Sequence, residues 1–140
     1  QIDGDIKVAG LKAPVTVEVR ENGRQIGTSD TDKIMIAAGR HDIELVNETL
    51  GYRATRSVQV PPGKVSSISV EMPQGTVNIN AAPWAKVFVD GRRVGETPIG
   101  NLSLSIGPHE VLFRHPQLGE KRQAISVTLH APVRLSVDMK

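Results

Sequence analysis

The sequence predicts an all-β protein made of two tandem, small antiparallel β-sandwich modules, and three observations carry that reading. Apolar residues alternate with polar ones in short runs, which is the period of a half-buried strand. Turn signals separate the runs at the spacing expected of a sandwich or barrel, with no convincing helical segment between them. The first half of the chain also recurs in the second half at an almost constant offset, the mark of a repeated unit.

Taken in order, Asp5-Ile6-Lys7-Val8 opens the first module, and Val15, Val17 and Val19 then face one way while Thr16, Glu18 and Arg20 face the other. Asn22-Gly23 follows as a hairpin turn, because primed turns need positive φ, which Gly adopts freely and Asn tolerates. Alternation resumes at Ile43 and Leu45 and again at Ile68, Val70 and Met72. In the second module Thr76-Val77-Asn78-Ile79 matches the opening strand, and Asp90-Gly91 repeats the hairpin signal. Leu102, Leu104 and Ile106, then Ile125, Val127 and Leu129, then Val133, Leu135, Val137 and Met139 complete the alternating runs. About seven short strands per copy are expected.

The repeat is explicit. Gly23-Arg24-Gln25-Ile26-Gly27 returns as Gly91-Arg92-Arg93-Val94-Gly95, and Gly39-Arg40-His41-Asp42-Ile43 as Gly107-Pro108-His109-Glu110-Val111. Near the module ends Ser67–Met72 returns as Arg134–Met139 with a slightly different offset, as expected when loops change length and paired strands do not. The junction Met72-Pro73-Gln74-Gly75 divides the chain into modules 1–73 and 74–140. So short a connection predicts modules that touch end to end with little relative motion.

Composition narrows the function classes. The chain is 39% hydrophobic with four aromatic residues, Tyr52, Trp84, Phe88 and Phe113, so its cores must be aliphatic. There are no cysteines, which removes disulfides, thiolate metal sites and cysteine nucleophiles. The net charge of +2 and the scattered aromatics argue against a nucleic-acid partner. No apolar run is long enough for a membrane-spanning helix. A start at Gln1 without a basic, apolar leader reads as a processed or excised piece of a longer protein.

Ala82-Pro83-Trp84-Ala85-Lys86-Val87-Phe88-Val89-Asp90-Gly91, followed by Gly95-Glu96-Thr97-Pro98 and Gly107-Pro108-His109, resembles the PEGA domain family. The resemblance covers about residues 75–140. The name-giving turn is reduced here to Pro83-Trp84-Ala85. The first module is a degenerate version, keeping Asn22-Gly23, Gly27-Thr28, Gly39-Arg40-His41 and Gly51-Tyr52, with Ser29 where the Thr-Pro proline would follow. What the resemblance implies is a small β-sandwich in a bacterial cell-envelope or surface protein, outside the cytoplasm. The family offers no catalytic residues to transfer. Pro83, Ala85, Asp90, Gly91, Gly95, Thr97, Pro98, His109 and His41 are accordingly expected to shape the fold.

Several residues are weighed for chemistry. His41 and His109 lie on the core-facing side of their strands and are expected to bond a backbone carbonyl at the sandwich end, since a buried ring nitrogen needs a partner. His115 and His130 have no matched partner at metal-ligand spacing. Asp3-Gly4-Asp5 and Asp30-Thr31-Asp32 could supply calcium oxygens, but lack the EF-hand pattern and read as turn residues. Ser, His and Asp are all present, yet no nucleophile elbow or phosphate loop accompanies them. No catalytic, cofactor or metal site is therefore expected. Trp84, which could stack on a sugar ring of an envelope polysaccharide, is with Arg92 and Arg93 a candidate ligand-binding tip, and Arg114, Lys121 and Arg122 extend the arginines to a basic face towards anionic polymer or lipid. The leading expectation is a non-enzymatic spacer or assembly segment, with a protein partner or self-association through sheet edges.

Overall fold

The computed structural model describes residues 2–140, and among them there is no helix. The chain divides into two compact units, Gln1–Met72 and Pro73–Lys140. Pro73 belongs to the second because its carbonyl accepts the Ile106 N–H at 2.9 Å, one residue earlier than the sequence boundary.

The first unit contains β1 (Asp3–Ala9), β2 (Glu18–Glu21), β3 (Arg24–Thr28), β4 (Ile34–Ala37), β5 (Gly39–Asn47), β6 (Tyr52–Val60) and β7 (Val65–Ser69). They form a three-stranded sheet, β4-β1-β7, and a four-stranded sheet, β3-β2-β5-β6. The second unit repeats this with β8 (Gln74–Ala82), β9 (Lys86–Val89), β10 (Arg92–Glu96), β11 (Ile99–Ser105), β12 (Gly107–His115), β13 (Gly119–Val127) and β14 (Val133–Asp138). Its sheets are β11-β8-β14 and β10-β9-β12-β13. A pair of packed sheets with facing apolar sides is a β-sandwich.

The sheets are not wholly antiparallel. In each unit the last strand pairs parallel to the first: β1 with β7 in register Lys7↔Ser67, and β8 with β14 in register Asn78↔Arg134. The intervening strands, four of them shared with the other sheet, supply the long crossover that a parallel pair requires.

Alternation decides which side chains are buried. Ile6 and Val8 of β1, Ile43 and Leu45 of β5, and Val58 and Val60 of β6 meet in the first core. Val77 and Ile79, Val87 and Val89, and Val111 and Phe113 meet in the second. Phe113 is the one aromatic among the fully buried side chains, so both cores are aliphatic as the composition requires. The hairpin turns have φ of +52° and +78° at Asn22-Gly23 and +50° and +83° at Asp90-Gly91. Both central residues being left-handed defines the type I′ turn, whose twist matches the strands it joins. Just beyond each hairpin the register slips by one residue, at Ile26 in β3 and Val94 in β10.

Candidate functional site

The motif residues of both modules are placed by the same constraint, closing the open ends of a sandwich without leaving polar groups unpaired. In the second module Thr97 bonds Ala85 twice: its N–H donates to the Ala85 carbonyl at 3.0 Å, and its hydroxyl oxygen accepts the Ala85 N–H at 3.0 Å. In the first, Ser29 does the same to Val17, at 2.9 and 2.8 Å. Ser29 is thus the counterpart of Thr97, and Asp30 stands where Pro98 does. This corrects the alignment that placed Ser29 opposite the proline. Ala85 and Val17 are buried, so without the hydroxyl each N–H would be left unsatisfied.

His41 and His109 occupy the equivalent position in β5 and β12. His41 Nε2 faces the Ala37 carbonyl at 2.7 Å, and its Nδ1 bonds the Glu21 carboxylate. With acceptors on both sides, only the imidazolium can donate twice. The Glu21 bond is the main cause of a His41 pKa above the ordinary value; burial opposes it and the Ala37 carbonyl adds to it. His109 makes the matching pair, Nε2 to the Ser105 carbonyl and Nδ1 to Asp90, both at 2.6 Å. Desolvation is the largest single influence on Asp90 and pushes its carboxyl up. The Glu110 N–H and His109 together outweigh it, so the Asp90 pKa lies below the usual value.

Ser105, His109 and Asp90 stand in the order of a hydrolytic triad, yet the bonding is wrong for one. His109 Nε2 lies 2.6 Å from the Ser105 carbonyl and 3.4 Å from its hydroxyl. A nitrogen whose hydrogen is directed at a carbonyl cannot take the hydroxyl proton as a general base. Ala37 replaces Ser105 in the first module while the His–carbonyl bond is kept, which marks that bond as the shared feature.

The candidate tip does not assemble into a basic platform. Trp84 is half-buried in the β8–β9 loop, its ring centroid 4.7 Å from that of the buried His115, which in turn accepts the Gln117 and Leu118 N–H groups. Arg93 pairs with Glu96 at 3.6 Å, Arg114 with Glu120 at 2.6 Å and Arg122 with Glu110 at 2.5 Å. Arg114 also lies over the Phe88 ring. Lys121 is opposite Phe113 in the register, so it faces the core side, and it donates to the Asp138 carbonyl at 2.5 Å. Arg92 is exposed beside the hairpin turn. Among the acidic pairs, Asp30 accepts the Thr28 hydroxyl and Asp32 lies 3.9 Å from Lys7. No group of three or more His, Cys, Asp or Glu side chains converges as a metal site among the described residues.

A groove that motif reading passed over lies on the outer face of the β11-β8-β14 sheet. Its volume is about 570 Å³, and Asn78, Asn80, Asn101, Arg134 and Ser136 place polar groups around a lining that is mostly apolar, from Ile79, Pro98, Ile99 and Leu135. Across the parallel pair Asn78 is opposite Arg134 and Asn80 opposite Ser136. Its rim is a register shift in β11 between Ile99 and Leu102, where Asn101 has φ +54° and donates its N–H to Asn78 Oδ1 at 3.0 Å.

No family model matches this chain, and no curated protein does. Among solved structures it is similar to one titled the Bacillus anthracis TIE protein, with a TM-score of 0.51 and 16% identity over 98% of this chain and 33% of that one. At that identity the likeness is one of fold, and this chain spans about a third of that protein's length.

Proposed function

We propose that this chain is a non-enzymatic spacer from a bacterial cell-envelope or surface protein, built of two PEGA-like modules that hold other parts of the protein apart. The observation that carries the reading is the way both modules spend their motif residues. Ser29 and Thr97, His41 and His109, and the two type I′ hairpins bond within their own sandwich. The PEGA-like order of residues 82–109 supports an extracytoplasmic setting.

The edges of the two four-stranded sheets favour a spacer over an open-ended assembly. β6 and β13 are nine-residue edge strands paired without a bulge along one side, the kind of edge that invites strand addition. Each carries a charge on its core-facing side. Arg56 is opposite the buried Ile43, and Lys121 opposite the buried Phe113. Inward-pointing charge on an edge strand penalises a second strand that would bury it. The shorter edges β3 and β10 are interrupted by their bulges.

Replacing both guards, Arg56→Val with Lys121→Val, and following mass by light scattering tests the reading. The wild type is expected to stay monomeric and the double variant to associate as concentration rises. A wild type that itself forms ordered polymers would sink the spacer reading in favour of an assembly subunit.

A further inference from the structure

We propose that the groove over β11, β8 and β14 binds an acidic polysaccharide, one bearing carboxylate groups along a polyhydroxylated chain. This site lies on the opposite sheet from the Arg92-Arg93 hairpin.

The argument begins with which hydrogen-bonding groups the groove has left to offer. Asn78 Oδ1 accepts the Asn101 N–H, and Asn80 Oδ1 accepts the Ala81 N–H at 2.9 Å. With both carbonyl oxygens engaged by backbone, the two amides present their NH2 groups as donors. Arg134 adds a planar set of N–H donors suited to a carboxylate, and Ser136 a hydroxyl. The polar groups of the groove are therefore mainly donors set beside apolar surface, and its natural ligand carries acceptors along with an apolar face.

Charge sharpens the choice. Arg134 is the one ionisable side chain lining the groove, and no carboxylate lines it. Among the described residues Arg134 forms no ion pair, unlike Arg93, Arg114 and Arg122 on the other sheet. It sits exposed beside Asn78 with its charge uncompensated, so an anion gains there without first breaking a salt bridge. Pro98 and Ile99 give one apolar wall, which fits the C–H face of a sugar ring.

Repeat comparison isolates the feature. The first module has Lys7 and Ala9 where the second has Asn78 and Asn80, and Ser67 and Ser69 where it has Arg134 and Ser136. The fold does not require the Asn-Arg-Ser arrangement, since the same sheet is built without it. A polyhydroxylated acid is favoured over an acidic peptide because the donors are spread over two strands and the bulge, on the open outer face of a sheet, around a single cation.

The test is titration of the whole 140-residue chain with oligogalacturonate, followed by the side-chain NH2 resonances of asparagine in two-dimensional NMR. Saturable shifts of Asn78, Asn80 and Asn101 are expected, with affinity reduced at least about tenfold by Arg134→Gln, a change that charge-assisted bonds commonly produce. Arg114→Gln should leave affinity unchanged. Because Arg134 and Asn80 are exposed, both Arg134→Gln and Asn80→Ala are expected to fold, and wild-type shift mapping does not depend on either. Absent or unsaturable shifts, shifts confined to other residues, or equal losses in Arg114→Gln would overturn the proposal. Tighter binding of poly-glutamate than of oligogalacturonate would overturn it in favour of an acidic peptide. The outcome is separable from the spacer reading, which is tested by oligomeric state.

Discussion

Substituting Gly75 by alanine should destabilise the second module selectively, and the reason is crowding, not backbone conformation. Gly75 is the second residue of β8, where the end of β13 passes against it. A Cβ built there would lie 2.6 Å from Val127 Cγ1 and 2.8 Å from the Thr128 carbonyl oxygen. Val127 is wholly buried and Thr128 offers backbone, so neither can step aside cheaply. Overpacking of this kind costs about 2 kcal/mol. For a module of this size that corresponds to a fall of roughly 10 °C in Tm. Gly4 is the equivalent position in the first module, with Val60 Cγ1 at 2.6 Å and the Pro61 carbonyl at 2.7 Å. Gly100→Ala is the control, since its Cβ would meet only Asn78 Oδ1 at 3.8 Å and should change stability by less than about 0.5 kcal/mol. Urea unfolding by circular dichroism of the three variants is the assay. A Gly75→Ala protein unfolding within about 0.5 kcal/mol of wild type would refute the claim that β8 and β13 meet this closely.

Other outcomes follow from the same geometry. Thr97→Val strands the buried Ala85 N–H and should cost about 1–3 kcal/mol in the second module by urea titration, whereas an unchanged midpoint would mean the N–H finds another partner. His41, with its pKa raised, contributes stability that is fully present below its ordinary value near 6.5. That contribution is lost as pH rises through the higher folded-state value, so the first module should weaken as pH rises above 6.5 and His41→Gln should flatten that slope. Asp90, with its pKa lowered, contributes stability present above the ordinary carboxylate value near 3.8 and lost as pH falls through the lower one. Asp90→Asn should therefore remove an acid-limb loss in the second module's unfolding curve, and a loss of equal size in both proteins would contradict the role given to Asp90.

The fold was legible where local chemistry is decisive. Asn22-Gly23 and Asp90-Gly91 can hardly be anything but primed turns between alternating runs, and the 68-residue recurrence links the two modules. The parallel pairings of β1 with β7 and β8 with β14 left no such trace, because strands some sixty residues apart in sequence share no turn. β6 and the first half of β13 escaped the alternation pattern for a physical reason: at an open edge even core-facing positions such as Arg56, Lys121 and Gln123 are wet and polar. Counting parity back from Val58 and Val60, or from Ile125 and Val127, would have placed those charges on the inner side. Ser29 was legible at the constant offset, whereas matching by residue type paired Thr28 with Thr97. The groove was the least legible feature, since it needs Asn78, Arg134 and the Asn101 bulge brought together from three strands.

The spacer account is tested most directly by static light scattering of the wild-type chain over a wide concentration series. It predicts a mass that stays at the 15.1 kDa of one chain throughout, with association appearing only when Arg56 and Lys121 are both replaced by valine. A wild-type mass that climbs with concentration, and falls back when β6 or β13 is blocked by proline, would contradict it and make the sheet edges assembly surfaces.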